Sequence, residues 1–130
     1  MRLGEHTVTV YNALAGTGRT AAYLRTVVSG VRAEESSGAV ATMQGRSSSD
    51  GITLFVPGSL PGYAEPESFA GAGSWTLRAG DIVVAGVCGL ELPPATVQQL
   101  SSGRRIYRLT GVETFRDRRG RVHHLEAAGA

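Results

Sequence analysis

The stretch from Arg105 to Glu126, RIYRLTGVETFRDRRGRVHHLE, decides the fold class. Ile106, Arg108 and Thr110 alternate with Tyr107, Leu109 and Gly111, the period of two that sends neighbouring side chains to opposite faces of a strand. Asp117 to Gly120 carries turn residues, and Arg121 to Glu126 resumes the alternation. Two alternating runs joined by a short Asp- and Gly-bearing turn read as an antiparallel hairpin that closes a β domain.

Working outward, Ile52 to Val56 (ITLFV) is the clearest single strand and stops at Pro57. Thr7 to Asn12 (TVTVYN) places Val8 and Val10 on one face and Thr7, Thr9 and Tyr11 on the other, which predicts a half-buried strand. Tyr23 to Arg32 forms another, with Gly30 marking a bulge or bend. Ala39 to Gln44 is a weaker strand, and Arg46 to Asp50 reads as a polar loop. Trp75 to Arg78 and Ile82 to Val87 read as two short strands around a turn at Ala79 to Asp81. Trp75 and Phe55 are expected in the core. ATVQQL, after Pro93 and Pro94 and before Gly103, predicts one short helix near 94–100 with proline in its first turn. The sum is a mainly β, single-domain chain over 1–130. It is a small barrel or sandwich of about seven or eight short strands, with a long loop at 57–74. That loop holds three prolines and four glycines; segments of this length are commonly functional or mobile.

Composition narrows the classes. The chain has 130 residues, 42% of them hydrophobic, enough for a packed core. It holds 18 glycines without a collagen period, and all 13 basic residues are Arg. A single cysteine, Cys88, allows no internal disulfide. The N-terminus lacks the apolar core of a signal peptide, and no apolar run spans a bilayer, so a chain kept in a cytosol-like compartment, or assembled there into something else, without membrane contact is expected. The net charge of +2 hides an asymmetry. Seven Arg between Arg104 and Arg121 face only Glu113 and Asp117, a local +5, and the remainder carries −3. A basic end on an acidic body suits packing against copies of itself or steering to an acidic partner.

The chemical motifs are sparse. Ala13 to Thr20 falls short of a phosphate-binding loop, because Ala13 and Arg19 stand where Gly and Lys are required and no helix follows. His123 and His124, as strand neighbours, are expected to point to opposite faces and so not to share a metal; no zinc spacing occurs, and neither metal nor cofactor is expected. No nucleophile elbow or Cys/His arrangement appears. Glu65 and Glu67 could form an acid/base pair, but acids in a Pro/Gly loop more often are solvated surface. The expectation is therefore not an enzyme. Arg116, Arg118, Arg119 and Arg121 cluster at the hairpin turn, where guanidinium groups can grip carboxylates or phosphates bidentately. The few interleaved aromatics, Tyr107 and Phe115, argue against a single-strand binder. With Tyr63, Glu65 and Glu67 of the long loop, these arginines are the candidate interface.

Taken in order, HTVTVYN, LRTVVSGV, GITLFVP, SWTLRAGDIVVAGV and YRLTGVETFRDRRGRVHHLEAAG resemble a family of small tailed-bacteriophage proteins. These are encoded among head and neck genes, as minor capsid or head–tail connection proteins. The resemblance runs from Gly4 to Gly129 and is most specific at Gly80–Gly86 (GDIVVAG) and in the closing hairpin. It departs from the family's lysine-rich surface by using Arg throughout. It implies a virion structural protein assembled in the host cytoplasm, most simply a head-closure or head–tail connector subunit of the neck. The implied partners are copies of itself in a ring, portal or adaptor and tail-terminator proteins, and transient contact with packaged DNA. A tail-terminator, tail or capsid-decoration protein is the alternative, and a cellular small-barrel nucleic-acid-binding module the third. The family carries no catalytic residues to transfer.

Overall fold

The computed structural model of the chain describes residues 5–14, 22–36, 39–42, 45–48, 51–71 and 73–130. Its strands are β1 (His6–Ala13), β2 (Tyr23–Ser36), β3 (Ala39–Thr42), β4 (Gly45–Ser48), β5 (Gly51–Pro57), β6 (Ile82–Ala85), β7 (Ile106–Arg116) and β8 (Val122–Gly129). A helix α1 spans Val97–Ser101, and a single 3-10 turn spans Pro66–Ser68. Six strands close into an antiparallel barrel in the order β1-β2-β5-β8-β7-β6, and β3 and β4 form a separate two-stranded sheet. Closure is made where Val8–Tyr11 of β1 pairs with Ile82–Ala85 of β6. A closed barrel has no free sheet edges, which answers the edge problem of a small β domain.

Gly30 performs the predicted bend. His6 pairs with Val31 and Thr7 with Ser29, so Gly30 is the extra residue of a bulge. Its φ of +95° is open to glycine and strained for other residues. The barrel interior is filled by alternate side chains: Val8 and Val10 of β1, Ile52, Leu54 and Val56 of β5, Tyr107 and Leu109 of β7, Leu125 and Ala127 of β8. Trp75 and Leu77 plug it from the loop side.

Several expectations are corrected. β1 is buried on both faces, not one: Thr9 and Tyr11 are fully covered. The chain after β6 returns over the outside of the barrel, and Cys88, Leu92 and Leu100 pack there on Tyr11, Ile82 and Val84. The Thr9 hydroxyl is satisfied within this layer, donating to the Gly86 carbonyl (2.8 Å) and accepting from the Cys88 N–H (2.9 Å). The helix starts after both prolines and not with one in its first turn. Thr96 caps it, with Thr96 and Gln99 each accepting the other's backbone N–H in a capping box. Trp75–Arg78 is not a paired strand; Trp75 makes one isolated parallel bridge to Tyr63. Gly45–Ser48, which overlaps the expected polar loop of Arg46 to Asp50, is a strand paired with β3. Phe55 lies on the outer face, partly exposed under the Arg32 guanidinium 5.6 Å from its ring centroid, not in the core. The near-miss phosphate loop lies largely outside the described residues, at 15–21.

Candidate functional site

The long loop and the β7–β8 hairpin meet at one end of the barrel and enclose a groove of about 860 Å³. Pro57, Gly58, Tyr63, Glu65, Asp117, Arg121, His123 and His124 are among its lining residues. The hairpin tip is set by Asp117. Its Oδ1 accepts the N–H groups of Arg119 (2.8 Å) and Arg121 (3.0 Å), and its carbonyl accepts from the Gly120 N–H (3.0 Å). Those backbone hydrogen bonds, from Arg121 first, hold the Asp117 carboxyl below its ordinary range. A short polar side chain at the turn entry and Gly120 at φ +81° define the turn.

The loop is ordered from its far end. Asn12, at the end of β1, donates to the Thr76 carbonyl (2.7 Å) and to Asp81 Oδ2 (2.8 Å), and accepts the Thr76 N–H (3.1 Å). Asp81 also accepts the N–H groups of Ala13 (2.9 Å) and Arg78 (3.1 Å) and pairs with the Arg78 guanidinium. With Thr76 fixed, Trp75 is seated, and its indole N–H donates to the Pro61 carbonyl (2.8 Å). Tyr63 packs edge-on to Trp75, centroids 5.3 Å apart. Burial, then the nearby Glu65 carboxylate, pushes the Tyr63 hydroxyl above its usual pKa. Two residues on, Glu65 takes the Arg116 guanidinium at 2.5 Å, and this hydrogen bond lowers the Glu65 carboxyl. Asn12, Thr76, Trp75, Tyr63, Glu65 and Arg116 thus form one continuous chain of contacts from barrel wall to hairpin.

The candidate interface residues therefore divide. Arg116 and Arg121 are held within the molecule, by Glu65 and by Asp117 (3.3 Å). Arg118 and Arg119 stand exposed at the tip, and neither forms an ion pair with a described residue; Glu67 is exposed in the 3-10 turn, likewise unpaired. Tyr63 is a half-buried residue of the loop itself, packed on Trp75.

The histidines overturn the opposite-face expectation. Phe115 pairs with His124 but Arg116 with Val122, so His123 is the extra residue of a bulge. The two Nδ1 atoms come within 2.8 Å, and the His124 ring stacks on Phe115 at 4.5 Å and 5°. Among the described residues no three His, Cys, Asp or Glu side chains gather as metal ligands. Nor is any helix there long and apolar enough to cross a membrane. The latch of Asn12, Arg78 and Asp81 escaped sequence reasoning. Its one local signal is an aspartate directly after a glycine turn and before an apolar strand, where a carboxylate can fold back on its own backbone.

The model of one family, described as a family of unknown function (DUF6751), matches residues 3–130. No curated protein and no solved structure matches the chain.

Proposed function

The chain belongs to the DUF6751 family, and we propose that it is a structural subunit of a tailed-bacteriophage virion, a head-closure or head–tail connector protein of the neck. The observation that carries this reading is the convergence of loop and hairpin. The two segments with the sequence character of contact devices stand together at one end of a closed barrel, tied by Arg116 and Glu65. A connector subunit needs a body that holds its shape and projections fixed relative to it, because a ring closes only when each contact keeps the same angle. The ordered sequence resemblance, strongest in GDIVVAG and the closing hairpin, supports the same reading.

In this role the protein works by geometry and charge. The barrel is the spacer, the clamped loop and hairpin set the angle of contact, and Arg118 and Arg119 supply exposed positive charge to an acidic neighbour. Copies of the chain in a ring, portal or adaptor proteins on one side and tail-terminator proteins on the other are the proposed partners. The genes flanking its own test the reading. Portal, major capsid and tail-tube genes are expected on either side; a cellular operon with none of them would overturn it.

A further inference from the structure

The hairpin that carries the unpaired arginines also carries, on its outer face, a surface that fits them. Glu113 and Glu126 are directly opposed across β7 and β8. Leu125 and Ala127 turn into the core, which sends Glu126 outward, and Glu113 is exposed. Like charges directly across a strand pair are unfavourable, and Glu113 forms no ion pair with a described residue. Glu126 is approached by His124 Nε2 at 3.3 Å. The next pair along the same face is the stacked Phe115 and His124, with Phe115 37% exposed. Two carboxylates beside an exposed aromatic stack match what a guanidinium binds best: paired oxygens for its N–H fork and a flat face for its plane. Within one molecule these carboxylates stay apart from the tip, whose turn is fixed by Asp117.

We propose that Arg118 and Arg119 of one copy dock on the Glu113, Phe115, His124 and Glu126 surface of a second copy, as a head-to-tail contact. Charge complementarity selects the occupant. Arg116 and Arg121 are already paired internally, whereas Arg118 and Arg119 are exposed, adjacent and carried on a turn hydrogen-bonded by Asp117. Donor and acceptor are different surfaces of the chain, so the contact is heterologous and propagates from copy to copy, closing into a ring if the rotation permits. The contact deepens the neck-subunit reading and rests on it for ring closure alone.

Sedimentation velocity on the full chain tests it with two variants, R118E/R119E and E113R/E126R. All four positions are partly or fully exposed, and circular dichroism melts should match the wild type. The wild type should self-associate, and each variant alone should do so at least about tenfold more weakly. An equimolar mixture of the two should recover association, because the acidic tip of one then meets the basic face of the other. The proposal is overturned by a wild type that stays monomeric, by variants that associate like it, or by a mixture that recovers nothing. In the first of these cases the acceptor of the arginines is another protein. Failure of the neck reading looks different: association and its mixing rescue persist, while the chain is missing from purified virions.

Discussion

At the scale of single residues, two positions test how the site is held. Gly58 donates its N–H to the His123 carbonyl at 3.1 Å, and a Cβ there would sit 2.2 Å from the Val122 carbonyl oxygen. Backbone meets backbone, so no side-chain rearrangement relieves the clash. Gly58→Ala should therefore cost about 1–3 kcal/mol and lower the melting temperature by several degrees; an unchanged melt would contradict the close approach. Asn12→Asp is nearly isosteric but puts a second carboxylate against Asp81 Oδ2 and the Thr76 carbonyl, where the amide now donates. It should destabilise the fold more than Asn12→Ala at neutral pH, because Ala only leaves two backbone groups unpaired, about 1–3 kcal/mol each. Chemical denaturation of the two variants gives the order. Neither role is visible in the sequence, where Gly58 is one of four glycines in a loop and Asn12 is a strand end. Each acts through a partner more than sixty residues away.

At the scale of elements, the Arg116–Glu65 pair is a clamp between loop and hairpin and not part of the core. Arg116→Ala should speed hydrogen exchange at the loop amides of Ala64, Glu65 and residues 67–69 and leave the amides of β1, β5 and β8 protected. Equal loosening everywhere would show that the clamp holds the barrel itself. The same clamp has a pH signature. Glu65 and Asp117 are held below their ordinary values of 4.5 and 3.8 by hydrogen bonds from Arg116 and from the Arg121 backbone. Glu35 is raised by burial but lowered further by the Tyr107 hydroxyl (2.5 Å) and Arg105 (2.7 Å). A lowered folded-state pKa contributes in full above the ordinary value and is lost as pH falls through the lower one. The loop and hairpin should thus loosen on acidification below about pH 4.5, read by hydrogen exchange at acid pH; loosening that began near neutrality would assign it to other groups. In the outer layer, Leu100 is the buried residue of α1 and packs with Tyr11. Leu100→Ala should cost about 2–5 kcal/mol, whereas a merely peripheral helix would tolerate it.

What could be read in advance follows from the range over which each element is decided. The β7–β8 hairpin, β5 and the Gly30 bulge are set by alternation and turn chemistry within a few residues, and these were legible. The second covering of β1 was not, since nothing within TVTVYN reveals that Cys88, Leu92 and Leu100 will lie over Tyr11. Phe55 misled because alternation fixes which residues share a face but not which face is inside; Ile52, Leu54 and Val56 took the interior. The histidine pair misled because a bulge at His123 cancels the period of two on which the opposite-face inference rests.

At the scale of the whole molecule, the closed barrel leaves binding to its projections, and the charge asymmetry of the sequence becomes an arrangement. Of the seven arginines between Arg104 and Arg121, Arg105, Arg116 and Arg121 are paired with carboxylates, and the tip arginines Arg118 and Arg119 are exposed. A subunit of this kind is expected to assemble through one end and one face, with salt weakening assembly more than it weakens the fold. Electron cryomicroscopy of the virion neck tests this most directly. The account predicts a ring at the portal exit into whose subunits the six-stranded barrel fits, with hairpin tips at the boundaries between neighbours. A neck fully accounted for by other chains, with this protein absent from the particle, would contradict it.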